Sequence, residues 1–234
     1  MRILQWTPAY NDTLNTGVAS QYRWDTAWAY ACGHDMMSKT THGCILHQMR
    51  NEIADQAVRE GYDVLWMQDA DNYSPISGGP MSRMIAALEE SDAVACFAPV
   101  MLRNFGTPRA NVQPFHPGTV HEVEKGGTGI VAIDLRKIRP WYADYPGPLF
   151  APIFADVKQT KIEIGMDIFF SKLMRLETSS KPALKLIADC RIPTVHINAC
   201  ARLEFNGLAG PISPAVSPGI ATDATCAQGS EIPE

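Results

Sequence analysis

The sequence predicts a layered α/β domain, and three observations carry that expectation. Asp63-Val64-Leu65-Trp66-Met67 and the stretch from Ala93 to Val100 are apolar runs of strand length, read as buried strands. Leu46 to Glu60 places Met49, Ile53, Ala54 and Ala57 at helical spacing, with Gly61 closing it. The order strand, helix, helix, strand, helix, strand over the first hundred residues is that of helices packed on a sheet.

The elements follow in order. Ile3 to Trp6 is a first strand, ended by Thr7-Pro8, and Ser20 to Cys32 is helix-like. The helix from Leu46 to Glu60 leads at once into the strand ending at Met67. Met81 to Glu90 is a third helix, followed by the strand from Ala93. Arg103 to Thr128, rich in Gly, Pro, His and Asn, is expected to be a long functional loop. Ile130 to Leu135 is a strand and Arg136 to Tyr142 a short helix, broken by Pro146-Gly147-Pro148. Asp167 to Leu176 is an amphipathic helix; Leu184 to Asp189 and Thr194 to Ile197 are short strands. The division is one domain over 1–206 and a Pro/Gly-rich tail over 207–234.

Composition narrows the function. The 234 residues are 46% hydrophobic and 19% charged, enough for a packed core without staples. No apolar run approaches the roughly 18 residues of a membrane span. The opening Met1-Arg2-Ile3-Leu4-Gln5-Trp6 is too short and polar for a signal peptide, so a cytoplasmic protein with no membrane partner is expected. None of the six cysteines forms a C-x-x-C pair, and scattered thiols suit a reducing compartment. Cys96, inside an apolar run, reads as a small buried hydrophobe. The net charge is −5, yet residues 103–161 hold eight Lys/Arg against five acids. That basic stretch is either a solvated face or a place to meet a polyanion.

Five local patterns bear on chemistry. Asp69-Ala70-Asp71 directly follows the strand ending at Met67. Two carboxylates one residue apart, leaving the carboxyl end of a strand, can reach one hard cation such as Mn²⁺ or Mg²⁺. The alternative is an ordinary strand-to-helix turn; an EF-hand loop is a poor alternative, since the sixth-position glycine and the twelfth-position acid are absent. Arg50-Asn51 lies in the preceding helix, with an arginine able to grip phosphate. Gly127-Thr128-Gly129-Ile130-Val131-Ala132 matches a dinucleotide fingerprint in letters, but leads into a strand where that motif opens a helix. Its glycines read instead as a close backbone approach to a ligand. Asp167 stands at a helix start, as a plain cap or as a base facing a pocket. His196 lies on an apolar strand, as a core histidine or a ligand.

Taken as an ordered set, these pieces resemble the nucleotide-sugar glycosyltransferases of the GT-A fold, in particular small family-2-like enzymes of phages and bacteria. The matching pattern runs from Thr7-Pro8 through Arg50-Asn51-Glu52-Ile53-Ala54, the D-x-D at Asp69-Ala70-Asp71, Gly127-Thr128-Gly129 and Gly165-Met166-Asp167-Ile168 to Asp189 and Val195-His196-Ile197. The resemblance implies a Rossmann-like mixed β-sheet sandwiched by helices. It implies that Thr7 and Pro8 line a nucleoside site and that Arg50 steadies phosphate. Asp71 would bind the divalent cation, Asp69 would contact ribose or support the metal, and His196 would complete the metal shell. Gly127, Thr128 and Gly129 would border the sugar and acceptor, and Asp167 would deprotonate the acceptor hydroxyl. A base opposite the leaving group implies inversion. Such enzymes often carry Glu-Asp where this chain has Met166-Asp167, so an acid beside the base is missing.

The expected activity is therefore metal-dependent transfer of a sugar from a nucleotide-sugar, with UDP the commonest carrier, to an acceptor hydroxyl. The favoured acceptor is a 5-hydroxymethylpyrimidine (5-hydroxymethylcytosine or 5-hydroxymethyluracil) in phage-type DNA, held through the 103–161 basic stretch and flipped to reach Asp167. A carbohydrate or protein hydroxyl is the alternative acceptor. A non-catalytic nucleotide-sugar or DNA-binding protein is the alternative of another class. A sugar-phosphate nucleotidyltransferase is disfavoured, because Thr7-Pro8-Ala9-Tyr10-Asn11 lacks the glycine-rich basic loop of that class.

Overall fold

A computed structural model describes residues 1–9, 14–42, 45–102, 109–143, 145, 147–151, 154–157, 160–163, 166–177, 182–198 and 201–205. The expected tail at 207–234 lies outside them. The first half runs β1 (Arg2–Ala9), α1 (Thr16–Ala31), β2 (Asp35–His42), α2 (Leu46–Arg59), β3 (Val64–Gln68), β4 (Asn72–Tyr73), α3 (Met81–Glu89) and β5 (Ala95–Phe97). The middle holds β6 (Met101–Leu102), β7 (Arg109–Ala110), β8 (Val120–Glu122), β9 (Ile130–Asp134) and α4 (Leu135–Ala143). The remainder is β10 (Phe154–Val157), β11 (Thr160–Glu163), α5 (Met166–Arg175), β12 (Leu186–Asp189), β13 (Thr194–Asn198) and β14 (Ala201–Phe205).

Seven strands form one mixed sheet in the order β2-β1-β3-β9-β5-β12-β8. β2, β1 and β3 run parallel, as do β5 and β12, while β9 is inserted antiparallel between β3 and β5. Along each central strand the side chains alternate between two cores. Leu4, Trp6, Leu65, Met67, Val131 and Ile133 face one side, against Ile53, Ala57, Ile138 and Phe170 from α2, α4 and α5. Ile3, Val64, Trp66, Ile130 and Ala132 face the other, against Met81, Met84, Ile85 and Leu88 of α3. Burial on both faces explains why β3 and β5 read as continuous apolar runs.

Several expectations are corrected by this arrangement. Thr7 and Pro8 do not end the first strand. β1 runs on to Ala9, paired with β2 throughout, whereas its pairing with β3 stops at Trp6. Pro8, which has no N–H, therefore lies beyond the β3 ladder, where a proline is tolerated. The two early helices are not consecutive: β2 separates them as an edge strand whose eight residues are all exposed or half-exposed. The strand at Val64 is parallel to β1 on one side only. The long middle segment also contains structure: β8 pairs antiparallel with β12 and closes the sheet edge. α1 begins at Thr16, four residues before the expected Ser20, with Asn15 capping it by accepting from Gly17 N at 2.7 Å, and Gly61, at φ +73°, ends α2 as expected. The short strands β4, β6, β7, β10, β11 and β14 are not among the expected elements.

This topology gathers the site. β1, β3 and β5 end at the same edge of the sheet, and antiparallel β9 begins there. The Asp69–Asp71 turn and the Gly127–Gly129 segment consequently meet, with Asp69 N donating to Gly129 O at 2.9 Å.

Candidate active site

The turn after β3 is held on three sides. Gln68 Nε2 crosses it to donate to the Asn72 carbonyl at 2.7 Å. Gln21 of α1 donates through Nε2 to Gln68 Oε1 at 2.7 Å and accepts from Ser74 N at 2.7 Å. Both glutamines are fully buried. β4 pairs with β13, so that Asn72 lies opposite His196, and Ile197 N donates to Asp71 O at 2.9 Å.

The two aspartates of the turn go opposite ways. Asp69 turns to α2, where Arg50 Nη2 donates to its Oδ1 at 2.8 Å. Burial raises the Asp69 carboxyl to about 6; the Arg50 charge opposes that rise, and the negative charges of Asp167 and Asp71 add to it. Asp71 is half-exposed and turns to His196, with Oδ2 3.3 Å from Nε2. The His196 Nδ1–H donates to the Met101 carbonyl at 3.0 Å. That bond leaves Nε2 as the nitrogen facing the carboxylate. Two acceptors then confront each other unless the ring takes a proton or a cation lies at the pair. The hydrogen bond to Asp71 accordingly raises the imidazole above its ordinary value, against the effect of burial.

Arg50 is the hub of the site. Its side chain is 3% exposed, and its Nη1 donates to Asp167 Oδ1 at 2.9 Å. The same oxygen accepts from Thr128 Oγ1 at 2.5 Å. Asp167 thus has one oxygen held by two donors. Its Oδ2 has no partner among the described residues. Asp167 also lines a cavity of about 180 Å³, with Ile168, Leu102, Asn111, Gln113 and Lys125 around it.

The expected residues divide accordingly. Arg50, Asp69, Thr128 and Asp167 form one linked group, and Asp71 with His196 forms a second group on the same turn. Arg50 does not present a free guanidinium to phosphate, because both Nη atoms are taken by carboxylates. Asp69 is likewise engaged with Arg50, and among the described residues no three His, Cys, Asp or Glu side chains come together as a metal cluster. The Asp71 and His196 side chains suit a hard or borderline cation, and the bond to Met101 fixes the tautomer that turns Nε2 towards Asp71. Thr7 and Pro8 are buried, and Thr7 shares a hydrogen bond with Tyr22 of α1, so neither stands in the linked group. Gly127 and Gly129 do allow a close approach, but to protein: a Cβ on Gly127 would fall 2.6 Å from Asn111 Nδ2, and one on Gly129 3.1 Å from Asn72 Nδ2.

The basic stretch is not one surface. Arg136 binds Asp134 at 2.8 Å, Lys137 Nζ donates to the carbonyls of Leu88, Ser91 and Ala93, and Arg139 donates to Tyr62 O at 2.8 Å. Each of these three cations already has a partner within the chain, Arg136 at the surface. Arg103, Lys158 and the Lys161 side chain lie outside the described residues.

Sequence reasoning missed Gln21, Gln68 and Asn111, and placed Lys125 only within the broad basic stretch 103–161. Gln68, a polar residue closing an otherwise apolar strand, was a signal within reach. Gln21 was not, because only the packing of α1 on the turn gives it a partner.

No protein-family model matches the sequence, and no curated protein matches it. The fold is similar to the crystal structure of A197 from STIV, over 85% of this chain and 86% of that one, with a TM-score of 0.54 and 15% identity. It aligns at a TM-score of 0.35 and 12% identity with a glycosyltransferase involved in the glycosylation of the major capsid of PBCV-1, over 63% of this chain and 69% of that one. It aligns at 0.30 and 13% identity with 4-diphosphocytidyl-2C-methyl-D-erythritol synthase from Anaerococcus prevotii DSM 20548, over 61% and 74%. The likeness to A197 is one of fold: a mixed α/β sheet flanked by helices, which this chain shares.

Proposed function

We propose that this chain is an inverting, metal-dependent glycosyltransferase that moves a sugar from a nucleotide-sugar to an acceptor hydroxyl. The observation that carries the reading is Asp167. One of its oxygens is pinned by Arg50 and Thr128, the other has no partner among the described residues, and the residue borders a cavity. A carboxylate so held has a fixed direction and a free lone pair, as a general base requires. The acceptor hydroxyl gives its proton to Asp167 Oδ2. Its oxygen bonds to the anomeric carbon as the bond from that carbon to the diphosphate oxygen breaks, and the electron pair leaves with the nucleoside diphosphate. Asp71 and His196 are the residues that would hold Mn²⁺ or Mg²⁺, which supplies charge neutralisation for the departing diphosphate. Arg50 holds Asp69 and Asp167 in place and stays clear of the substrate.

The acceptor proposed first is a 5-hydroxymethylpyrimidine in DNA. The pairing of Arg136 with Asp134, and of Lys137 and Arg139 with backbone carbonyls, favours the second reading, a smaller carbohydrate or a protein hydroxyl, since it engages three cations of any extended basic face.

The test is release of nucleoside diphosphate from UDP- and GDP-sugars in Mn²⁺, with and without DNA containing 5-hydroxymethylcytosine or 5-hydroxymethyluracil. Release that requires the modified DNA and is lost in Asp71→Ala supports transfer to DNA. Release indifferent to DNA moves the acceptor to a carbohydrate or protein. Absence of release and of metal-dependent nucleotide binding overturns the transferase reading.

A further inference from the structure

The cavity beside Asp167 has a second charged wall. Lys125 is held by its backbone, with Gln113 N donating to Lys125 O at 2.9 Å and Lys125 N returning to Gln113 O at 3.2 Å. Its ammonium has no partner among the described residues. That sets it apart from Arg136, Lys137 and Arg191. Arg136 and Arg191 each close on an aspartate two residues back, and Lys137 is surrounded by carbonyls. Arg109, exposed and also without a side-chain partner among the described residues, precedes Ala110, which lines the same cavity. A lysine fixed at its Cα, with its charge unspent, is arranged to meet something that arrives from outside. Leu102 and Ile168 give the cavity an apolar wall, and Asp167 gives it the only carboxylate among the described lining residues.

We propose that this cavity takes an acceptor carrying a phosphate ester near its reacting hydroxyl, with Lys125 binding the phosphate while Asp167 faces the hydroxyl. The proposal rests on the reading of Asp167 as the base and deepens it by naming the acceptor's chemical class. Asp167 alone would repel an anionic acceptor; a lysine lining the same cavity offsets that repulsion and fixes which end of the acceptor approaches the carboxylate. The phosphate has two sources, a diester in a nucleic-acid strand or a monoester on a small polyol or sugar. The volume of about 180 Å³ fits one ring or a short polyol, with any strand continuing outside it.

The experiment measures binding without any nucleotide-sugar, by titration of the full chain followed through amide resonances. The probes are glycerol 3-phosphate, glycerol, and a short single-stranded oligodeoxynucleotide. The expected result is that at least one phosphate-bearing probe binds about tenfold tighter than glycerol, shifts Gly126 and Gly127, and weakens with added salt. Lys125→Met abolishes that preference and Lys125→Arg retains it. The monoester and oligonucleotide arms identify the source. Equal binding of glycerol and both phosphate probes, or a phosphate preference unchanged in Lys125→Met, overturns the proposal. Lys125-dependent phosphate binding in a chain that releases no nucleoside diphosphate would uphold the cavity and reject the transferase; turnover untouched by Lys125→Met would do the reverse.

Discussion

Arg50 and Asp167 meet at 2.9 Å between α2 and α5, and the arginine is almost wholly buried where they meet. The pair joins two helices that pack on the same face of the sheet. Because Arg50 also holds Asp69, removing it leaves two carboxylates facing each other without the intervening charge. Arg50→Met is expected to cost about 3 kcal/mol, the lower end for a broken buried pair, since both acids are partly exposed. Urea denaturation at pH 7 reads this directly. Arg50→Lys, with one ammonium for two diverging acids, should fall between Met and wild type.

Asp167→Asn removes the base while its amide oxygen can still accept from Arg50 and Thr128. Turnover should fall about 10²–10⁴-fold with nucleotide-sugar affinity within a few-fold of wild type. Thr128→Val keeps the volume and deletes one donor to Oδ1. It should lower kcat with little change in donor KM, the signature of a group that aims the base without binding substrate. Initial rates over a donor titration separate the two effects.

Asp25 of α1 is buried, accepting from Gln21 Nε2 at 3.2 Å and Met81 N at 3.4 Å, and burial raises its carboxyl to about 7. The folded chain therefore holds this proton over a range, from about pH 4 to about 7, where the unfolded chain has released it. The contribution to stability is complete below about pH 4 and is lost as pH rises towards 8. Asp25→Asn, which imitates the protonated form, should lose less stability than wild type between pH 4 and pH 8. Urea midpoints at both pH values give the difference, with the slope due to Asp69 common to both chains.

Much of the fold could be read from residue order. β3 and β5 announce themselves because burial on both faces demands unbroken apolar runs, and α2 because its Ile53, Ala54 and Ala57 form one stripe. β2 could not be read: at the sheet edge its Asp35, Lys39 and Thr41 need no burial, so the segment carries no hydrophobic period. The candidate site was legible where chemistry follows local context, as for Asp69 and Asp71 after a strand and Asp167 at a helix start. The partnership of Arg50 was not. A surface arginine and one bridging two acids from other elements are identical in sequence, and only the packing of α2 beside the β3 edge distinguishes them.

Gln21 tests whether the turn is positioned from behind. Gln21→Leu keeps the bulk but orphans the buried Ser74 N–H and removes the donor to Gln68 Oε1, which retains only Trp66 Nε1 at 3.4 Å. A cost of about 1–3 kcal/mol is expected. Because Gln68 spans the Asp69–Asn72 turn, Mn²⁺ affinity should fall as well, although Gln21 lies in α1 behind the turn and is not one of the candidate ligands. Stability and Mn²⁺ titration on the same variant are the two readouts, and loss of stability with unchanged Mn²⁺ affinity would assign Gln21 to the core alone.

His196 sets the pH dependence of that Mn²⁺ binding. A ligating imidazole must be deprotonated at Nε2, and the hydrogen bond to Asp71 makes the proton harder to remove than from a free histidine. Metal and proton therefore compete for one nitrogen. Mn²⁺ affinity should rise as pH increases through the region above 6.5, the ordinary histidine value, and level off once the ring is neutral. His196→Gln removes the titrating nitrogen and should flatten this rise while weakening Mn²⁺ at high pH. Removing the metal with a chelator should reduce nucleotide-sugar binding in wild type much more than in Asp71→Ala, because the variant has already lost the carboxylate that faces His196. Equilibrium dialysis with Mn²⁺ at pH 6 and pH 8 checks the first expectation, and a pH-independent affinity in the wild-type chain would exclude His196 from the metal shell.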